Sequence, residues 1–144
     1  MDFKDILKEL LLEYDLTARK LCEILDIDHS SICRYMQGCY PNITNAVKLA
    51  NYFNCSLNFM CGIDELPNEY QFFSTYDEAA FFVRYIKLLK LNKISHYKVS
   101  KELKFGNSAF QKWKSGSLPK LETLIKLSNF FGYSIDYFIG RSNS

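Results

Sequence analysis

No apolar run in this chain is long enough to cross a bilayer, and the opening stretch MDFKDILKEL is charged throughout. Neither a membrane anchor nor a signal peptide is therefore expected, and a cytoplasmic location is the default. Histidine is scarce: His29 and His96 are the two in the sequence. Neither stands in a recognisable catalytic setting with a cysteine nucleophile. The five cysteines, at 22, 33, 39, 55 and 61, are odd in number and contain no Cys-x-x-Cys. No histidine follows them at zinc-finger spacing, so neither a disulfide framework nor a zinc site is expected. The thiols are expected to be reduced and mostly packed. Paired carboxylates, a metal cluster and a glycine-rich phosphate loop are all missing, which argues against an enzyme and against a cofactor.

The chain is otherwise built to fold. Hydrophobic residues make up 48% and charged residues 24%, a globular balance. Aromatics reach 16%, the kind of large apolar group that small cores need. The length, 144 residues, allows one ordinary domain or two very small ones.

A repeat decides between these. KLANYFNCSLNFMCG, from Lys48 to Gly62, returns as KLSNFFGYSIDYFIG, from Lys126 to Gly140, 78 positions later. At that offset the chain aligns on itself without a gap from Phe3/Phe81 to Gly62/Gly140, with Leu10/Leu88, Leu25/Leu103, Ser30/Ser108, Gly38/Gly116 and Pro41/Pro119 matched. Identities at both turns and apolar faces imply two copies of one small fold. Copy one is expected over 1–63 and copy two over 81–144. The 17 residues between them, 64–80, read as a linker running into a helix. Pro67 and Asn68 break structure there, and Thr75 with Glu78 reads as a capping box.

Each copy reads as five short helices and no strand. Phe3, Ile6, Leu7, Leu10 and Leu11 recur at helical spacing on the first helix. Thr17 suits the N-cap of the second, which carries Leu21 and Leu25 inward. Asp28 suits the cap of the third, with Ile32 and Tyr35 facing the core and Gly38 ending it. Pro41 and Asn42 open the fourth, and Ser56 caps the fifth. In copy two Ser95, Gly106, Gly116, Pro119 and Ser134 punctuate in the same way.

The stretch Lys93 to Gly140, KISHYKVSKELKFGNSAFQKWKSGSLPKLETLIKLSNFFGYSIDYFIG, resembles the Cro/CI-type helix-turn-helix domain of phage repressors and related bacterial regulators. The likeness lies in the Ile-Ser start of helix two, the small Ser100 and the Phe110-x-x-Trp113 of helix three. Gly116, LPKLETLIKL and the closing SIDYFIG complete it. Copy one resembles the family more loosely, through LTARKLCEILDIDHSSICRYMQG. The resemblance implies an all-α chain of two tandem five-helix, lambda-repressor-like DNA-binding domains. It also implies double-stranded DNA as partner, with helix three in the major groove and the start of helix two at a phosphate.

Carried onto copy two, the positions implied to meet DNA are Asn107, Ser108, Gln111 and Lys112 on helix three, with Ser95 and His96 at the start of helix two. Asn107 is either a partner for adenine or a helix cap, and Lys112 either a contact to guanine or phosphate or a solvated charge. His96 is either a phosphate contact or an ordinary surface histidine. Lys93, Lys98, Lys114 and Lys120 would surround the surface as phosphate contacts, and Trp113 would brace helix three from behind. In copy one the same positions are Thr17, Arg19, His29, Ser30, Cys33 and Arg34. There Ala18 and Met36 depart from the family pattern, and Cys22 is expected in the core.

The net charge of +2 conceals an asymmetry. Residues 1–63 hold six Lys/Arg and eight Asp/Glu, a balance of −2, and 64–80 hold five acids and no base. Residues 81–144 hold twelve bases and three acids, a balance of +9. Since phosphate neutralisation supplies most non-specific affinity, copy two is expected to dominate DNA binding. Copy one is then a weaker reader or a protein-contact module, with Met36, Cys39 and Tyr40 as an apolar edge. The expected function is a sequence-specific transcriptional regulator, bacterial or phage-encoded and nucleoid-associated. It would work as a covalent pseudo-dimer or, favoured by a helical linker from Thr75, as a homodimer. The alternative is an inhibitor or antirepressor of a mobile element on the same scaffold.

Overall fold

The computed structural model describes residues 1–144, and all of its regular structure is helical. The chain divides into two units, Met1–Ser74 and Thr75–Ser144. The stretch 64–80 is shared between them. In the first unit Ser56 N–H donates to Pro67 O (2.9 Å) and the Asn51 amide to Ser74 O (2.7 Å). In the second, Asp77 N–H donates to Ile139 O (2.8 Å).

The first unit comprises α1 (Phe3–Glu13), α2 (Ala18–Leu25), α3 (His29–Met36), α4 (Ile43–Tyr52) and α5 (Leu57–Met60). Helix α1 opens on a capping box in which the Asp2 and Asp5 carboxylates accept each other's backbone N–H. Its stripe of Phe3, Ile6, Leu7, Leu10 and Leu11 is buried and packs toward α3 and α5. Thr17, Asn42 and Ser56 each accept an N–H of the first turn of α2, α4 and α5.

The second unit repeats this order with α6 (Ala80–Leu91), α7 (His96–Leu103), α8 (Ala109–Lys114), α9 (Leu121–Phe131) and α10 (Ile135–Phe138). Ser95 and Ser134 cap α7 and α10. The backbone records the repeat as firmly as the side chains do. All ten residues with positive φ fall into five pairs 78 apart: Asp15/Lys93, Asp26/Lys104, Gly38/Gly116, Asn54/Gly132 and Gly62/Gly140. At Gly140 the close approach adds a second demand, since a Cβ there would lie 3.1 Å from the Cβ atoms of Asp77 and Ala80.

Three local expectations fail. Asp28 precedes α3 without a side-chain capping bond. No capping box forms at Thr75 and Glu78: a cap at Thr75 would draw on the amides of Asp77 or Glu78, and the Asp77 N–H is held by Ile139 O. The next helix begins only at Ala80, with the Asp77 carboxylate accepting Ala79 N–H (3.0 Å). The ground for preferring a homodimer, a helix from Thr75, therefore falls. Third, Cys22 is half-buried rather than in the core, its thiol donating to Ala18 O of its own helix (3.1 Å). Of the other cysteines, Cys55 and Cys61 are buried, Cys33 is half-buried and Cys39 is exposed, and none is in a disulfide.

The core of the second unit is aromatic. Trp113 meets Phe81 and Tyr85 edge-on at 5.3 Å and Phe105 at 5.4 Å, a geometry that aromatic quadrupoles favour. This cluster seats the inner side of α8 against α6, which fixes the side that α8 turns outward.

Candidate nucleic-acid interface

Because Trp113 and its neighbours take the inner side of α8, Asn107, Ser108, Gln111, Lys112 and Lys114 are all exposed. The helix itself starts two residues later than the repeat implies, since His29 of α3 corresponds to Asn107. Residues Gly106 to Ala109 form a turn, with Ala109 N–H donating to Gly106 O (3.2 Å), and Ser108 is the N-cap without a side-chain bond. Asn107 thus does not cap α8; its amide stands on the turn ahead of the helix.

Ser108, Lys112 and Lys120 line one open groove of about 400 Å³, floored by Trp113, Leu118 and Pro119. Lys104 and Lys126 complete its wall. Neither was singled out from the sequence, because neither lies at a helix-two or helix-three contact position; their place in the basic segment was the available signal. Lys104 sits at the left-handed end of α7, and the Lys126 ammonium reaches Leu103 O at 3.4 Å. Four lysines therefore line one groove that α8 helps to form.

At the start of α7, the Ser95 hydroxyl oxygen accepts Lys98 N–H (3.2 Å), and the Lys98 side chain is exposed. His96 is half-buried. Its Nδ1 lies 2.6 Å from the hydroxyl of Tyr85, a residue with no exposure, and its ring packs on Phe110 (4.8 Å) and Trp113 (5.7 Å). Burial lowers the His96 pKa below the ordinary histidine value and raises that of Tyr85.

Copy one brings its positions to the surface with fewer charges. Thr17, Arg19, His29, Ser30 and Arg34 are exposed. The Thr17 hydroxyl oxygen accepts Lys20 N–H (3.1 Å), His29 lies beside the Cys33 thiol (3.7 Å), and the Arg34 guanidinium reaches the Ser31 hydroxyl (3.4 Å). Its expected apolar edge is partly absorbed into the fold. Met36 and Tyr40 are half-buried, and the Tyr40 ring packs against Phe3 at 6.3 Å. An apolar face that the sequence reading missed lies on α6 instead. There Phe82, Val83, Ile86 and Leu91, with Lys87 and Lys90, surround an open hollow of about 570 Å³. The corresponding residues of α1 are Lys4, Asp5, Lys8 and Glu13, with Glu9 and Leu12.

No group of three or more His, Cys, Asp or Glu side chains is placed to hold a metal ion, and no helix is long and apolar enough to cross a membrane. Two five-helix units, each with an exposed third helix at matched positions, define a tandem helix-turn-helix protein. A helix-turn-helix family model matches the chain twice, over residues 7–60 and 86–138. The chain belongs to this family, the Cro/CI-type helix-turn-helix proteins, which are DNA-binding regulators and ordinarily not enzymes. Comparison with curated proteins and with solved structures gives no match.

Proposed function

We propose that this protein is a sequence-specific regulator of transcription of the phage-repressor type, and that copy two is its main reader of double-stranded DNA. One observation carries the reading: Asn107, Ser108, Gln111 and Lys112 are all exposed, and Ser108 and Lys112 line a groove together with Lys104, Lys120 and Lys126. On this reading Asn107 and Gln111 address base edges, where an amide pairs best with adenine. The lysines, with Lys98 and Lys114, neutralise phosphates and set register without reading sequence. Ser95 and His96 meet the phosphate at the start of α7. Thr17, Arg19, His29, Ser30 and Arg34 make the lesser contacts of copy one. The domain limits that suit this division are 1–63 and 81–144, and the two units meet DNA as a covalent pseudo-dimer or paired across a homodimer, at the nucleoid in the cytoplasm of a bacterium.

Fluorescence anisotropy on a random duplex across a salt series tests the assignment. Binding should weaken steeply with salt, and Lys112→Ala and Lys114→Ala should each reduce the log–log slope by about 1. Absence of binding at low salt would defeat it. A second reading, an inhibitor or antirepressor acting through protein contacts, draws support from the exposed apolar face of α6 and its two lysines. An acidic partner suits that face, and Ile86→Glu would abolish such an association while leaving duplex binding intact.

A further inference from the structure

We infer that Tyr85 fixes the proton of His96 on Nε2, so that copy two offers DNA a preset, uncharged N–H donor at the start of α7. The inference rests on the DNA-binding reading above and adds a positioning residue to it. Tyr85 has no solvent exposure, and its hydroxyl has one partner, His96 Nδ1 at 2.6 Å. A buried hydroxyl that only accepted would leave its own O–H unsatisfied, at the cost of a lost hydrogen bond. Donation to Nδ1 removes that cost and requires Nδ1 to be the unprotonated nitrogen. The proton of neutral imidazole then lies on Nε2, which has no protein partner and is not enclosed.

The surroundings hold this state. From α8 the ring is faced by the uncharged Phe110 and Trp113, and from α6 by Tyr85. The lowered pKa keeps the ring neutral at neutral pH. Contacts with the buried Tyr85 and Trp113 and the half-buried Phe110 fix the ring plane, so little orientational freedom remains to be lost when an oxygen acceptor arrives. The repeat supplies an internal control. The positions of Tyr85 and His96 are Leu7 and Ala18 in copy one, so the hydroxyl and the imidazole occur together or not at all. Leu7 is fully buried, so where no imidazole faces it the site is filled by a side chain without a hydroxyl.

The full-length protein with ¹⁵N-labelled histidine gives a direct reading. Long-range ¹H–¹⁵N spectra at neutral pH should show His96 as the Nε2–H tautomer, and Tyr85→Phe should yield a mixture of tautomers. Against a random-sequence duplex at fixed salt, His96→Ala should weaken binding by about three- to tenfold, the worth of one hydrogen bond. Tyr85→Phe should weaken it by less, about twofold at most, because the Nε2–H fraction of the mixture still binds, and the double variant should weaken it by no more than His96→Ala alone. His96→Gln, whose amide also donates, should retain affinity and lose its sensitivity to Tyr85→Phe. An Nδ1–H tautomer in the wild type, or additive effects of the two variants, would overturn the inference, and the tautomer and His96→Gln decide it even if Tyr85→Phe folds poorly. Unchanged affinity in His96→Ala with intact salt-dependent binding sinks this inference alone. No duplex binding by the wild type sinks the DNA reading beneath it and, with it, the donor role.

Discussion

At the residue scale, the second unit hides an ion pair that the first does not have. The Arg141 guanidinium and Asp136 carboxylate stand 2.6 Å apart with no exposure, where copy one has Ile63 and Asn58. Burying two charges is expensive, and their attraction roughly repays it; removing one partner leaves the other uncompensated. Asp136→Ala should therefore cost about 3–5 kcal/mol. Trp113 is the single tryptophan and lies in this unit, so denaturation followed by its fluorescence reads the loss directly. A cost below about 1 kcal/mol would show that solvent reaches Arg141. His96 gives a pH prediction with a defined sign. Its pKa is lower in the folded protein than the ordinary value, so the unfolded chain takes up the proton first as pH falls. The contribution is complete above about pH 6.5 and is lost as pH drops through the folded value. His96→Gln should flatten that acid limb of Trp113-monitored stability. The ion pair has no spacing signal in the sequence: Arg141 and Asp136 meet because the Arg141 and Ser142 N–H groups both donate to Asp136 O, which folds the chain back behind α10. The Arg84 guanidinium donates to Tyr137 O and to Ser142 O (2.6 Å) and stacks 4.5 Å over the Tyr137 ring.

At the scale of elements, the turns were more readable than the starts of helices. Polar caps at Thr17, Ser56, Ser95 and Ser134 stand one residue before an apolar period and form as expected. Asp28 and Thr75 look equally suitable in sequence and fail, since a cap also needs a free amide and the right backbone angle, which distant contacts decide. The same limit hid the late start of α8. Gly106 stands where copy one has Asp28, and the chain there closes a turn before it begins a helix, so that Asn107 is carried ahead of α8. Left-handed positions are the firmer currency. Gly132 ends α9 at φ 75°, ψ 23° with open space around its Cβ position, and Asn54 occupies the matching place at φ 52°. Gly132→Ala should cost about 1–2 kcal/mol for backbone reasons alone. Gly132→Asn should cost clearly less, because asparagine tolerates this region and copy one already uses it. Equal losses in the two variants, measured on the same tryptophan signal, would contradict the backbone account.

At the scale of the whole molecule, the repeat has kept its shape while its charge has separated. Divided at the structural boundary, residues 1–74 hold six bases against eleven acids, and residues 75–144 hold twelve against five. In the second unit Asp136 is spent on Arg141 inside the core, while ten lysines are exposed. The fold constrains apolar faces and left-handed turns, and those were retained at matching positions; surface charge is free of that constraint and was available for function. This explains why fold and repeat could be read from the sequence, whereas the wall of the groove could not. Lys104 and Lys126 are 22 residues apart and meet only in three dimensions. If they hold phosphate, Lys104→Ala and Lys126→Ala should each weaken binding to unrelated duplexes by a similar factor and reduce the salt slope by about 1, as contacts without base specificity do. Arg34→Ala, on the acidic unit, should change the slope by much less. Equal slopes for all three variants would mean that the two copies share the electrostatic work after all, and that charge separation serves something other than a division between main and lesser reader.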